Sequence, residues 1–204
     1  MDDKALFKLS YGLFVLTARQ DGKDNGCIIN TAIQAADGKI TVAVNKQNLT
    51  HDMILATGAF TVSVLSEKAT FDLFKHFGFQ SGRGTDKFDG FTACKRGENG
   101  LLYVTEGTNA FISGKVIDTV DLGSHTLFVA TISDMEVLDS APSATYAFYH
   151  ASIKPKPAAQ PPQEKTVWRC SVCGYVYDES DELPADFVCP WCKHPASDFE
   201  KVGA

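Results

Sequence analysis

Short apolar runs of β-type residues, broken by turn signals, recur through the first 150 positions of the chain. Residues 13–18, Leu-Phe-Val-Leu-Thr-Ala, read as a strand. A turn-rich stretch at 20–26 follows, then a strand over 27–35 and another over 40–44. The Asp37-Gly38 pair between the last two is a hairpin signal. Residues 59–65 and 111–120 continue the pattern, and 126–137 pairs with the latter across a turn at 121–124. Two short helices interrupt. One is expected to start at Thr50 as N-cap and stop at Gly58; the other runs from about Thr70 to Gly78. About six antiparallel strands with few helices predict a mainly β domain built as a closed barrel.

The pattern stops at residues 151–163, which hold half of the chain's eight prolines. Such a segment cannot form a core and is expected to run as an extended, semi-rigid tether of roughly 35 Å. Residues 164–204 are too few to fold on apolar burial alone, so they need a metal or disulfides. The expected organisation is a barrel at 1–150, a linker at 151–163 and a small metal domain at 164–204.

Composition narrows the classes. The net charge of −6 includes no cluster of Lys and Arg, which excludes a nucleic-acid footprint. No stretch approaches the roughly twenty apolar residues of a membrane span. The start, Met1-Asp2-Asp3-Lys4, has no apolar signal core, and a cytoplasmic location is expected. In a reducing compartment paired thiols read as metal ligands, not disulfides. Of the six cysteines, Cys27 and Cys94 read as small core or loop thiols.

The other four, Cys170, Cys173, Cys189 and Cys192, form two Cys-x-x-Cys knuckles, a tetrahedral thiolate set for zinc or iron. Spacing alone leaves zinc ahead. The surroundings are Trp168-Arg-Cys-Ser-Val-Cys-Gly-Tyr-Val-Tyr-Asp178, then Leu183-Pro-Ala-Asp-Phe-Val-Cys-Pro-Trp-Cys192, then Asp198-Phe199-Glu200. This closely resembles rubredoxin over residues 166–202. The short interval 174–188 is similar to the rubredoxin domain of rubrerythrins, and Lys193 stands where many rubredoxins have Gly. The resemblance implies one iron ion in an Fe(Cys)4 centre. Trp168, Tyr175, Tyr177, Trp191 and Phe199 serve as core and also as the apolar shell that tunes such a centre.

The first 150 residues carry no Gly-x-Gly-x-x-Gly, P-loop or His-Glu-x-x-His motif. Polar residues gather instead at 25–32, 44–52 and 77–87. Taken singly, Thr50 reads as a helix cap, Lys46 as a surface charge and the glycines at 78–84 as a turn. Lys46 and Thr50 at a helix start, and Arg83 with Ser81 in a glycine-rich loop, also suit phosphate. Taken in order, Asn25-Gly-Cys-x-x-Asn-Thr31, Asn45-Lys-x-Asn-x-Thr-His51, Phe77-Gly-x-x-Ser-Gly-Arg-x-x-Asp-Lys-Phe88 and Thr145-Tyr-Ala-x-Tyr-His150 resemble the flavin reductase family of FMN-binding split barrels. The resemblance implies bound FMN and a homodimer with flavin near the subunit interface. It places Asn30, Thr31 and Ala32 at the isoalloxazine edge, and Asn45, Lys46, Thr50 and His51 on the ribityl chain and phosphate. Ser81 and Arg83 assist, and Tyr149 or His150 covers the ring. Gln34-Ala-Ala-Asp-Gly38 departs from the Ser-Pro-Pro of many relatives.

The two halves together resemble high-molecular-weight rubredoxins. That implies an electron-transfer flavoprotein that oxidises NAD(P)H through FMN and passes electrons through Fe(Cys)4 to a protein partner, by family analogy a flavodiiron protein reducing oxygen or nitric oxide. Two rivals stand beside it. One is an NAD(P)H:flavin reductase with a purely structural zinc domain. The other is a non-enzymatic zinc-stabilised binding module.

Overall fold

A computed structural model describes residues 2–155, 167–180 and 182–202. The tether expected at 151–163 lies outside the described residues from 156 onward. The chain divides into two compact units, Met1–Pro155 and Lys156–Ala204.

The first unit is one antiparallel sheet. Its strands are β1 (Phe14–Gln20), β2 (Lys23–Ile29), β3 (Ala32–Ala36), β4 (Lys39–Asn45), β5 (Ala59–Leu65), β8 (Thr108–Asp121) and β9 (His125–Val137); between them lies a separate hairpin of β6 (Cys94–Arg96) and β7 (Leu102–Val104). The order across the sheet is β2-β1-β5-β8-β9-β4-β3. Strands near opposite ends nevertheless share one core: Leu16 and Cys27 pack in the same cluster as Val42, Val44, Phe60, Val62 and Phe128. Only a strongly curled sheet brings β2 and β4 to one interior. Gly114 permits part of that curl. It lies at a register shift of β8 against β9, and a Cβ there would stand 2.6 Å from the Phe60 ring.

Two helices close the unit. In α1 (Leu49–Thr57) Met53 and Ile54 are buried, and Gly58 ends the helix in the left-handed region. In α2 (Phe71–Gly78) Phe74 and Phe77 are buried and join Leu13, Val15, Leu65 and Tyr149 in a second core. A short α3 (Tyr146–Phe148) continues into a single π-helical turn, Tyr149–Ile153.

Several elements differ from expectation. Residues 27–35 are not one strand. The chain breaks at Asn30-Thr31, so β2 and β3 lie on opposite edges, each with its own partner, β1 and β4. The stretch 20–26 is mostly strand: Asp21 and Gly22, with φ of 50° and 81°, make the turn, and Asn25 and Gly26 are buried. Among the described residues no ladder joins β2 to β3, so the barrel is not the closed one that strand count suggests but the split one that the family resemblance implies. Thr50 is not the cap of α1. The N-cap is Asn48, and Thr50 points inward, fully buried. The β6–β7 hairpin was not legible in the pattern; it is held by hydroxyls of the sheet. Thr17 Oγ1 donates to the Leu102 carbonyl at 2.5 Å, Asn99 Nδ2 to Thr61 Oγ1 at 3.0 Å, and Val104 N–H to Ser63 Oγ at 3.0 Å.

The second unit has a three-stranded sheet, order β11-β10-β12, of β10 (Val167–Cys170), β11 (Val176–Tyr177) and β12 (Phe199–Val202). Its buried residues are Cys170, Cys189, Tyr177 and Phe199, with Trp168, Tyr175, Leu183 and Phe187 packed around them. A core this small, half of it thiol, cannot offset the entropy of ordering the segment. Among the described residues no helix is long and apolar enough to cross a membrane.

Candidate functional site

The four cysteines stand on two knuckles of the same build. In the first, Cys170 N–H donates to the Tyr175 carbonyl and Gly174 N–H to the Cys170 carbonyl, both at 2.9 Å. In the second, Cys189 N–H donates to the His194 carbonyl and Lys193 N–H to the Cys189 carbonyl, again at 2.9 Å. Each knuckle turns through a left-handed residue, Gly174 at φ 78° and Lys193 at φ 63°. The four sulfurs lie within 4.8 Å of one another, with Cys170–Cys192 at 3.7 Å and Cys173–Cys189 at 3.5 Å. A tetrahedron with metal–sulfur bonds of about 2.3 Å has edges of about 3.8 Å, so the set fits one metal ion and is too wide for disulfides.

The first cysteine of each knuckle is buried and the second half-buried, so one sulfur edge faces outward. Val172 and Trp191, 54% and 71% exposed, stand beside that edge. Backbone N–H groups point at the sulfurs: Tyr175 at Cys173, Cys192 and Trp191 at Cys189, and His194 at Cys192. Burial and the other thiols push Cys192 up to about 12; burial pushes the Cys189 thiol up too, but those N–H groups and the neighbouring thiols outweigh it and bring it down to about 6. These are the bonds that favour a thiolate and tune a bound metal.

In the first unit, a cleft of about 220 Å³ opens where the β2–β3 break meets the end of β4. Leu13, Ile28, Ile29 and Ala43 give it apolar walls; Asn30, Thr31, Asn45, Asn48, His125 and Tyr146 supply the polar ones. Of the predicted set, this brings together Asn30, Thr31 and Asn45. Asn48, His125 and Tyr146 were missed. His125 pairs with Asn45 across β4 and β9, a juxtaposition that only the register reveals. No side chain caps α1 at Asn48, which leaves helix-start N–H groups beside the cleft without a side-chain acceptor.

The remaining predicted residues lie elsewhere. Ala32 lines a separate apolar groove of about 440 Å³ with Phe14, Ile33, Ile132 and Met135. Lys46 is ion-paired with Asp121 at 2.6 Å. Thr50 Oγ1 accepts from Asn25 Nδ2 at 2.9 Å. His51 is buried, with Nε2 2.9 Å from Thr126 Oγ1 and Nδ1 3.0 Å from Asp52. Arg83 donates to the other Asp52 oxygen at 2.6 Å, and its N–H donates to Ser81 Oγ at 3.2 Å. The bonds from His51 and Arg83 hold the Asp52 carboxyl below its ordinary range. Tyr149 is buried against Phe74 with ring centroids 4.5 Å apart, while its neighbour His150 is exposed. The Ser81–Arg83 loop is fitted to this wall: a Cβ at Gly82 would collide with the Asn25 amide, whose Oδ1 is buried without a hydrogen-bond partner.

Comparison with known proteins finds relatives for both units. Residues 6–156 match the family model described as flavin reductase like domain, and residues 168–200 match the rubrerythrin, rubredoxin-like domain. The chain is 37% identical to the high molecular weight rubredoxin of Moorella thermoacetica, covering 99% of this chain and 100% of that protein. It is 40% identical to the ferric-chelate reductase (NAD(P)H) of Archaeoglobus fulgidus over 76% of this chain and 93% of that one. In fold it is similar to the NADH:FAD oxidoreductase of Streptomyces globisporus C-1027, with TM-score 0.61, 20% identity, and 70% and 84% of the two chains covered. The FMN-binding protein of Thermus thermophilus gives TM-score 0.55 at 24% identity over 64% and 73%. The chain belongs to the flavin reductase family, in the high-molecular-weight rubredoxin branch that carries a rubredoxin-like four-cysteine domain behind the flavin-binding barrel.

Proposed function

We propose that this protein oxidises NAD(P)H through FMN and passes the electrons singly through an iron held by Cys170, Cys173, Cys189 and Cys192 to a partner protein. The observation that carries the reading is the union, in one chain, of a flavin reductase barrel and a four-thiolate site with one sulfur edge turned outward. Bound flavin supplies the conversion of a two-electron hydride donor into single electrons. Bound iron in a thiolate set supplies a one-electron carrier.

The residues suit these groups. The apolar floor of the cleft takes a planar ring, and the amides of Asn30, Asn45 and Asn48 offer donors and acceptors to its polar edge. The N-terminus of α1 favours the phosphate; Lys46 and Arg83 lie on neighbouring segments, held by Asp121 and Asp52. His51, Thr50 and Asn25 act from inside, holding α1 in place, and Asp52 joins His51 to Arg83 of the 81–83 loop. In the second unit the aromatic packing around the sulfurs excludes water, while Cys173, Cys192 and Trp191 form the exit edge. The acceptor is an electron-consuming protein; a flavodiiron oxygen or nitric oxide reductase fits by family analogy.

We also propose a homodimer. Ile33 and Met135, 61% and 66% exposed, flank the 440 Å³ groove, and Val137 extends the same apolar strip along β9. A patch of this kind is expected at a subunit contact.

Replacing one metal ligand tests the order of carriers. Cys189→Ser should leave NAD(P)H-driven bleaching of the flavin intact while transfer to a downstream acceptor is lost. Unchanged transfer would show that electrons leave directly from the flavin.

A further inference from the structure

We infer that Lys87, which lies outside the residues so far given to the flavin, is a positioning residue for its phosphate: the buried Lys87 amine clasps the two ends of the 78–86 loop and so seats Ser81 and Arg83 against the start of α1. This rests on the flavin reading above and deepens it at the phosphate end.

In the stretch 78–87 only Gly82 and Lys87 are buried, so the loop meets the body of the first unit at these two points. Lys87 is 3% exposed. Its Nζ donates to the carbonyl of Phe77, in the last turn of α2, and to that of Gly26 on β2, both at 2.8 Å. His76 Nε2 donates in turn to the Lys87 carbonyl. The two ends of the segment are thereby drawn together, which makes it a compact loop with pinned ends. A lysine is almost never buried this deeply, and an apolar side chain would fill the same space. Only a donor can reach both carbonyls and fix the loop to helix and strand at once.

Gly82 is the second point. It lies against the Asn25 amide, where a Cβ would stand 2.1 Å from Oδ1. Asn25 spends its Nδ2 on Thr50 of α1, at 2.9 Å, and its Oδ1 has no donor. Loop and helix therefore rest on one side chain, yet the Gly82 seat is a fit of shape that no bond from Asn25 holds. The clasp at Gly26, the next residue of β2, supplies the hold. What it places is chemistry for an anion: the Ser81 hydroxyl and the Arg83 guanidinium, the latter 2.6 Å from Asp52 in the first turn of α1.

FMN and riboflavin differ only in the phosphate, so their binding to the full-length, metal-loaded protein freed of flavin, followed by quenching of flavin fluorescence, tests this. The unmodified protein should bind FMN more tightly than riboflavin. Lys87→Met, which keeps the bulk and removes the donor, should weaken FMN about tenfold and leave riboflavin unchanged. Gly82→Ala, which lifts the loop off Asn25 with the amine intact, should act in the same direction. Lys95→Met, at an exposed position on β6, should change neither constant. Unchanged FMN affinity in Lys87→Met would overturn the inference. So would a Lys87→Met protein that does not fold or loses both flavins by the same factor, since the amine would then be a contact of the fold alone. An unmodified protein that binds the two flavins equally would overturn the phosphate site and leave the flavin reading standing; one that binds neither would overturn both.

Discussion

Asp52 takes a hydrogen bond from His51 on one oxygen and from Arg83 on the other. Its folded pKa is lowered, first by His51 and then by Arg83. A carboxylate depressed on folding stabilises the protein above its unfolded pKa, near 4, and that contribution fades as the pH falls through the lower folded value. The group is partly solvated, so the effect is modest. Thermal midpoints measured from pH 6 to pH 3 should fall less steeply in Asp52→Asn than in the unmodified protein; parallel curves would remove Asp52 from the account. At this scale the four-cysteine cluster was legible, because four cysteines in two tight pairs need no tertiary information. The flavin side was less so. Thr50 looked like a helix cap because a hydroxyl near a helix start usually is one, yet it is drawn inward by Asn25. His125 reaches the cleft through its register with Asn45, 80 residues away, and Tyr146 through its bond to Tyr11, 135 residues away, which no local pattern records.

Lys193 marks the element scale. It holds the left-handed turn of the second knuckle, where the first knuckle uses Gly174. A residue with a Cβ costs about 1 kcal/mol or more in that region, against roughly 0.5–1 kcal/mol of extra unfolded-state freedom for Gly. Lys193→Gly should therefore stabilise the metal-loaded unit by a few tenths of a kcal/mol to about 1 kcal/mol, read as a later loss of the near-ultraviolet dichroism of Trp168 and Trp191 on heating; an earlier loss would mean that the lysine contributes a contact of its own. Most strands and both main helices could be read from apolar runs, turn pairs and glycine stops. The break at Asn30-Thr31 could not. Residues 27–35 are continuous in β character, and what splits them is competition between β1 and β4 for the two halves. The hairpin of β6 and β7 was equally silent, since its strands are three residues each and buried hydroxyls hold it.

For the whole molecule, the domain pairing was visible in the sequence because the two motif sets are dense and separate. The subunit contact is a family expectation, and the exposed apolar strip on β3 and β9 is the place proposed for it. Met135→Glu would bury a charge in that contact, and sedimentation should show a dimer for the unmodified protein and a monomer for the variant. Identical masses would put the contact elsewhere. The relay itself is tested most directly by anaerobic titration of the intact, flavin- and metal-loaded protein with NADH, followed by visible absorption. The account predicts both flavin and ferric-thiolate bands in the oxidised protein, both bleached by NADH, with more electrons taken up per chain than flavin alone accepts. A protein whose four cysteines hold zinc, and whose spectrum bleaches as flavin only, would contradict it.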